Sequence, residues 1–398
     1  MDQKQPGSRA VAWWCMVGVV GFLFSYGLWM HQGSASTQTK RVLQQQATSS
    51  STLPPSSLGK APSSSVGTEP ASLVADAWIK GMTLSCFGWG AAWATSSMFN
   101  AMAELQQVGT NWISYHPYSW IRSNGTLGFS RSTSQRTVLN PMRFAKSLGM
   151  KVLLKPHIGY WGSRFSWRGA IKFKTEAGWR RFFNAYEEWI VTQAKMAQAG
   201  GADMFSVGVE YIQTLHRDKD WRRIIAAVRK VYKGKLTYSA NWDSFQKAKF
   251  WDALDVIGIQ AYFPLTKNKN PSEAQLRKGW VKWLAAVCKF SKKWKRPVVF
   301  TELGYNNASH TAARPWDHSE GGPNAAKIKL RCMKVALEVV PKSPCIKGVF
   351  LWKWFPSPAR ISSNYTLQYP AMKKVLSACW KRKSPASPKK QSSPRPRK

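Results

Sequence analysis

Acidic side chains are scarce in this sequence: 19 Asp and Glu stand against 59 Lys and Arg in 398 residues, a formal charge of +40. So basic a surface draws polyanions, and nucleic acid, anionic lipid and acidic polysaccharide are all compatible with it. Cysteine is also sparse. Cys15, Cys86, Cys288, Cys332, Cys345 and Cys379 form no CxxC pair and no cluster with histidine, so neither a zinc site nor a thioredoxin-like motif is supported and no metal is called for. Cys15 lies in an apolar segment, which leaves five in the globular part and at least one of them unpaired within a monomer. No GxGxxG or P-loop pattern opens the first strand–helix unit, and no cofactor is expected. No nucleic-acid-binding motif occurs among the later segments, so no specific nucleic-acid partner is expected either.

Apolar material is plentiful. Hydrophobic residues make up 44% and aromatics 13%, with 22 Trp, enough for a large core. The ends differ from the middle. After a short N-terminus at 1–10, residues Val11 to Met30 are twenty in a row without a charged side chain, the length a helix needs to cross a bilayer. Lys4 and Arg9 precede this run closely, so the N-terminus is expected in the cytoplasm and the rest on the periplasmic or extracellular side. A cleavable signal is the competing reading, with Gly33, Ser34 and Ala35 as the cleavage region, and would give a secreted protein. Residues 31–72 are rich in Ser, Thr, Gln and Pro and read as a flexible linker. Residues 381–398 carry eight basic residues and no acidic one, a tail expected to be disordered and able to dock on an anionic surface.

Residues 73–380 alternate strand-like and helix-like segments with short connections, the rhythm of parallel strands with crossover helices. Eight strands are predicted, over 81–87, 112–118, 151–158, 204–210, 235–242, 256–263, 297–305 and 346–355. The clearest helices are 176–199, 221–232, 273–295 and 325–340, and Gly149, Gly200, Gly201 and Gly234 sit where helices should end. The fold class is therefore α/β, a (β/α)8 TIM barrel, preceded by a transmembrane helix and linker and followed by a basic tail.

In such a barrel the active site lies at the C-terminal ends of the strands. The fourth ends MFSVGVE at Glu210 and the seventh ends VVFTELGY just beyond Glu302. Strict alternation along a strand puts Ser206, Gly208 and Glu210 on one face and Val298, Phe300 and Glu302 on another, both able to point inward. Two carboxyl groups facing one cleft are what retaining cleavage of a glycosidic bond needs, one to protonate the leaving oxygen and one to attack the anomeric carbon. Each glutamate could instead be a structural acid paired with a nearby Lys or Arg. Lys155 and His157 at the end of the third strand and His116 at the end of the second are candidates to donate hydrogen bonds to sugar hydroxyls, or simply structural. Trp352 and Trp354 end the eighth strand on one face by the same alternation, and Trp89 and Trp161 in loops are further candidates for sugar stacking or for loop anchoring.

With these glutamates, the motifs KPHI at 155–158, VGVE at 207–210, QAYFPL at 260–265, TELGY at 301–305 and GVFLWKWF at 348–355 resemble those of glycoside hydrolase family 113, a group of clan A retaining glycosidases, over about residues 78–380. The resemblance implies a double displacement with Glu210 as acid/base and Glu302 as nucleophile, and endo-β-1,4-mannanase activity. It also implies that Tyr262 hydrogen-bonds Glu302 and that Trp352 forms the floor under the sugar. One position departs from the clan. Val209 stands where Asn usually precedes the acid/base and contacts the sugar 2-hydroxyl, and Asn241, ending the fifth strand, is the candidate to replace it. The expected partner is a polysaccharide or oligosaccharide substrate. The competing readings are a membrane-anchored barrel that binds polysaccharide without cutting it, and a scaffold that docks nucleic acid.

Overall fold

The computed structural model describes residues 77–86, 90–129, 136–356 and 365–381. The apolar run at 11–30, the linker at 31–72, Trp89 and nearly all of the tail at 381–398 lie outside the described residues. Among the described residues no helix is long and apolar enough to cross a membrane.

Eleven strands are present among the described residues: β1 Ile79–Leu84, β2 Trp112–Tyr115, β3 Tyr118–Ile121, β4 Leu127–Gly128, β5 Lys151–Leu154, β6 His157–Gly159, β7 Met204–Val209, β8 Lys235–Asn241, β9 Val256–Gln260, β10 Val298–Leu303 and β11 Ile346–Trp354. Eight of them close a parallel barrel in the order β1-β2-β5-β7-β8-β9-β10-β11, with β11 back beside β1. The expected α/β barrel is thus formed. Its strands are buried on both faces, which is why they read as apolar runs.

Seven α-helices accompany them among the described residues: α1 Ser96–Gln107, α2 Arg136–Ser147, α3 Glu176–Gly200, α4 Asp218–Val231, α5 Glu273–Trp294, α6 Ala325–Val339 and α7 Pro370–Trp380. Their ends follow local chemistry. Thr175 caps α3 by accepting from the Gly178 N–H at 3.1 Å, and Gly201 ends it with φ 73°, a left-handed turn that suits glycine. Ser272 and Gln275 form a capping box at α5. Asp218 and Asp220 open α4 and Arg229 and Lys230 close it, as the helix dipole favours.

Two of the predicted strands are each broken in two. Pro117 and Pro156 cannot donate to a ladder, so β2 stops at Tyr115 and β5 at Leu154. The chain resumes as β3 and β6, which pair in parallel with Tyr118 opposite His157, while β4 adds antiparallel to β3. This small second sheet was not expected from the sequence. It lies directly after the C-terminal ends of two barrel strands and so presents its residues at the mouth.

Inside the barrel the side chains change character along the axis. Ile79, Trp112, Leu153, Met204, Val256, Val299 and Phe350 form an apolar plug drawn from seven strands. Further along come hydroxyls and an amide: Ser206 Oγ lies 2.9 Å from Ser239 Oγ, and Thr301 Oγ1 donates to Gln260 Oε1 at 2.9 Å. Trp93, Trp189, Trp221, Trp251, Trp280 and Trp354 are fully buried, and all belong to the layer between strands and helices.

That layering overturns the expected parity of two strands. Val298 and Phe300 pack outward with Trp280, while Val299 faces the barrel interior. The register with β9 then skips a residue, Phe300 lying opposite Ile259 and Glu302 opposite Gln260, and this bulge re-aims Glu302. A similar shift between Ser206 and Val209 turns Gly208 toward Tyr238 and Trp221, so Ser206 and Gly208 do not share a face.

Candidate active site

Glu302, carried on β10 beyond the bulge, is 4% exposed. Its two oxygens have separate donors. Lys155 Nζ bonds Oε1, and the Tyr262 hydroxyl donates to Oε2 at 2.6 Å. Lys155 is itself fully buried and also donates to the Thr301 carbonyl at 3.2 Å. Burial lowers its pKa and the neighbouring Glu302 charge opposes that fall. Lys155 stands one residue beyond the end of β5, and its side chain reaches Glu302 on β10.

Glu210 follows β7 directly, in a left-handed backbone at φ 58°, a conformation that costs a residue with a Cβ about 1 kcal/mol. Its N–H donates to the Ser239 carbonyl at 2.9 Å. Arg168, from the connection between β6 and α3, places Nη1 3.6 Å from Glu210 Oε2 and 3.2 Å from His157 Nδ1. Burial pushes the Glu210 carboxyl up, Arg168 pulls it down, and the Glu302 charge pushes it up again, with a balance at about 7. The two acids therefore lie close enough for one charge to act on the other.

His116 and His157 stack with ring centroids 4.6 Å apart, and the Trp352 ring lies 5.3 Å from His116 and 6.4 Å from His157. Burial, followed by the positive charges of Lys155, Lys353 and Arg168 for His116 and chiefly of Arg168 for His157, holds both imidazoles well below the ordinary histidine pKa. Both ring nitrogens of His116 and Nε2 of His157 are buried without a hydrogen-bond partner among the described residues, donors or acceptors left for a ligand.

Glu210, Glu302, His116, Lys155, His157, Tyr262 and Trp352 are thus gathered at one end of the barrel. Asn241 ends β8 opposite Gln260, but its side-chain oxygen is used locally, accepting from the Trp242 N–H at 3.0 Å. Trp352 and Trp354 also part company. The register against β1 pairs Thr83 with Trp352 and Leu84 with Trp354, so Lys353 is an extra residue, and Trp354 turns into the buried layer beneath Lys373. Trp161 is 52% exposed and stacks on Tyr160 with centroids 5.2 Å apart.

Arg168 and Lys353 were missed by sequence reasoning. Arg168 stands in a loop with no periodicity to mark it, and Lys353 lies between two tryptophans where alternation alone would turn it outward.

The family model described as Glycoside Hydrolase Family 113 matches residues 82–367. A solved complex of a family 113 β-1,4-mannanase superposes with a TM-score of 0.69 at 24% identity, covering 77% of this chain and 100% of that one. The family 113 β-mannanase of Alicyclobacillus acidocaldarius, solved with ManMIm, gives 0.68 at 25% identity and covers 78% and 99%. A GH2 β-galacturonidase from Eisenbergiella tayi shares the fold alone, with a TM-score of 0.52 at 15% identity over 77% of this chain and 51% of its own. Comparison with curated proteins found no match.

Proposed function

Because the chain belongs to glycoside hydrolase family 113, we propose that it cleaves a β-linked polysaccharide of the mannan type, with Glu302 attacking and Glu210 transferring the proton. The observation that carries this assignment is the contrast between the two carboxyls: Glu302 is held by an ammonium and a phenol, while Glu210 is pushed up to about 7. The β-mannanases among the superposed structures support the mannan class.

In the first step a Glu302 oxygen bonds the anomeric carbon as the bond from that carbon to the bridging oxygen breaks, and Glu210 gives its proton to the departing oxygen. Its negative charge then forms beside Arg168. In the second step Glu210 takes a proton from water, the water oxygen bonds the anomeric carbon, and Glu302 leaves as the carboxylate. Lys155 and Tyr262 orient Glu302, and Trp352 supplies the apolar surface under the sugar ring. His116 and His157 offer their unpartnered nitrogens to hydroxyls. Asn241 is retained as a reader of the 2-hydroxyl, in the place that Val209 cannot fill.

The test is reducing-sugar release from a panel of neutral and acidic β-glycans by the full chain and by Glu302→Ala. Release from β-mannan that falls to background in the variant supports the assignment. Equal release by both proteins, or none from any glycan, overturns it.

The site is further proposed to work outside the cytoplasm, tethered through the apolar run at 11–30 and the linker at 31–72, with the basic tail at 381–398 meeting an anionic surface. The disulfide between Cys288 and Cys345 supports export, since such bonds persist in oxidising compartments. Fractionation of cells checks this: the chain is expected in the membrane pellet after a high-salt wash, and deletion of 1–30 should release it.

A further inference from the structure

We infer that the glycan unit seated beside Trp352 carries a carboxylate, as a uronic acid does, and that Lys353 is the residue that reads it. The inference rests on the glycosidase reading above and departs from its neutral mannan at one subsite, where it places a uronate in the same β-1,4 linkage.

Lys353 is the inserted residue at the β11 bulge and is half-buried. Its Nζ lies 5.2 Å from the centroid of the Trp352 ring and 5.0 Å from that of Phe355, so the stem is packed on two aromatic faces. Three cations stand around the two glutamates, and two of them are matched: Lys155 pairs with Glu302 and Arg168 with Glu210. Lys353 makes no ion pair among the described residues. Of the two acids in the neighbouring loop, Asp317 is already engaged by His310 at 3.3 Å and Arg314 at 3.4 Å, and the exposed Glu320 acts on Lys329. Nor does the sequence supply another acid close in the chain, since residues 339–398 contain no Asp or Glu.

Withdrawing an ammonium from water without a counter-charge is costly, and here burial pulls the amine down to about 8 against the opposing influence of Glu302. An anion delivered by the ligand would remove that cost. A neutral hexose offers only hydroxyls, which need a donor but no charge. In a 1,4-linked chain the exocyclic C-6 is free of the linkages, and its oxidised form is the carboxylate that an ammonium beside the sugar platform can meet. The excess of 59 basic over 19 acidic residues favours approach of such a polyanion from a distance.

The experiment uses two thio-linked, uncleavable tetrasaccharides with the same β-1,4 stereochemistry, one of mannose and one of mannuronic acid, titrated calorimetrically into the full chain. The uronate is expected to bind at least about ten-fold more tightly, the scale of one charged hydrogen bond. Lys353→Met, which keeps the stem on the rings, should collapse the ratio of affinities toward one, and Lys353→Arg should keep it. Equal binding of the two ligands, or a preference that survives Lys353→Met, overturns the inference. Because neither ligand is cleaved, the affinity ratio does not depend on hydrolysis, which the oxygen-linked counterparts and Glu302→Ala test separately.

Discussion

At Glu210 the balance between burial and the surrounding charges fixes the direction of the pH response. A carboxyl that titrates at about 7 is protonated below that pH, so as the general acid it is available on the acidic side, and kcat/KM should fall as pH rises through about 7. Arg168 is the larger of two positive charges that lower this pKa, Lys155 being the other. Replacing it by an uncharged side chain should raise the value further, and Arg168→Gln is expected to move the alkaline limb of the kcat/KM profile upward by about one unit. A limb that stays in place would remove Arg168 from the proton-transfer step. At Glu302 the Tyr262 hydroxyl is one of two donors, so Tyr262→Phe should lower kcat about 10²-fold with little change in KM, read from steady-state kinetics on mannan oligosaccharides. A loss confined to KM would make Tyr262 a substrate contact instead.

Between residue and fold, the strand ends decide where these side chains point. At Gly208 an added Cβ would meet Tyr238 Cε2 at 2.6 Å and Trp221 Cη2 at 2.8 Å, both rings of the layer between strands and helices. Gly208→Ala is therefore expected to destabilise the fold by about 1–3 kcal/mol in urea titration and to lower kcat by displacing Glu210. Unchanged stability would mean that β7 can shift at little cost. The eight barrel strands were legible in sequence because strands buried on both faces are written as apolar runs, and both glutamates stood at their ends. Their orientation was not legible. A β-bulge is set by a backbone choice that leaves the residue pattern intact, so simple alternation placed Val298 and Phe300 inward with Glu302 and paired Trp352 with Trp354. Pro117 and Pro156 did carry the signal that two strands stop early, although only tertiary pairing shows where the freed segments go. Arg168 reaches Glu210 from a loop, where neither spacing nor polarity marks a residue in advance.

For the whole molecule, the disulfide between Cys288 and Cys345 ties α5 to the segment entering β11 and spans 57 residues of sequence. On the chain-entropy account, closing a loop of that length in the unfolded state is worth about 4 kcal/mol. The closed loop contains α6 and all of β10, and with it Glu302, so its loss weakens the part of the barrel that carries one of the two acids. Reduction is accordingly expected to lower Tm by about 5–10 °C, measured by calorimetry with and without reductant, and Cys288→Ser should reproduce the shift and become insensitive to reductant. The two results together distinguish the bond from general effects of the reducing agent. If the oxidised and reduced proteins melt alike, the bond is dispensable and loses its value as support for export. If the expected shift is found, a chain kept in a reducing compartment would work with a weakened barrel, and the oxidising side of the membrane becomes the place where this fold is most stable.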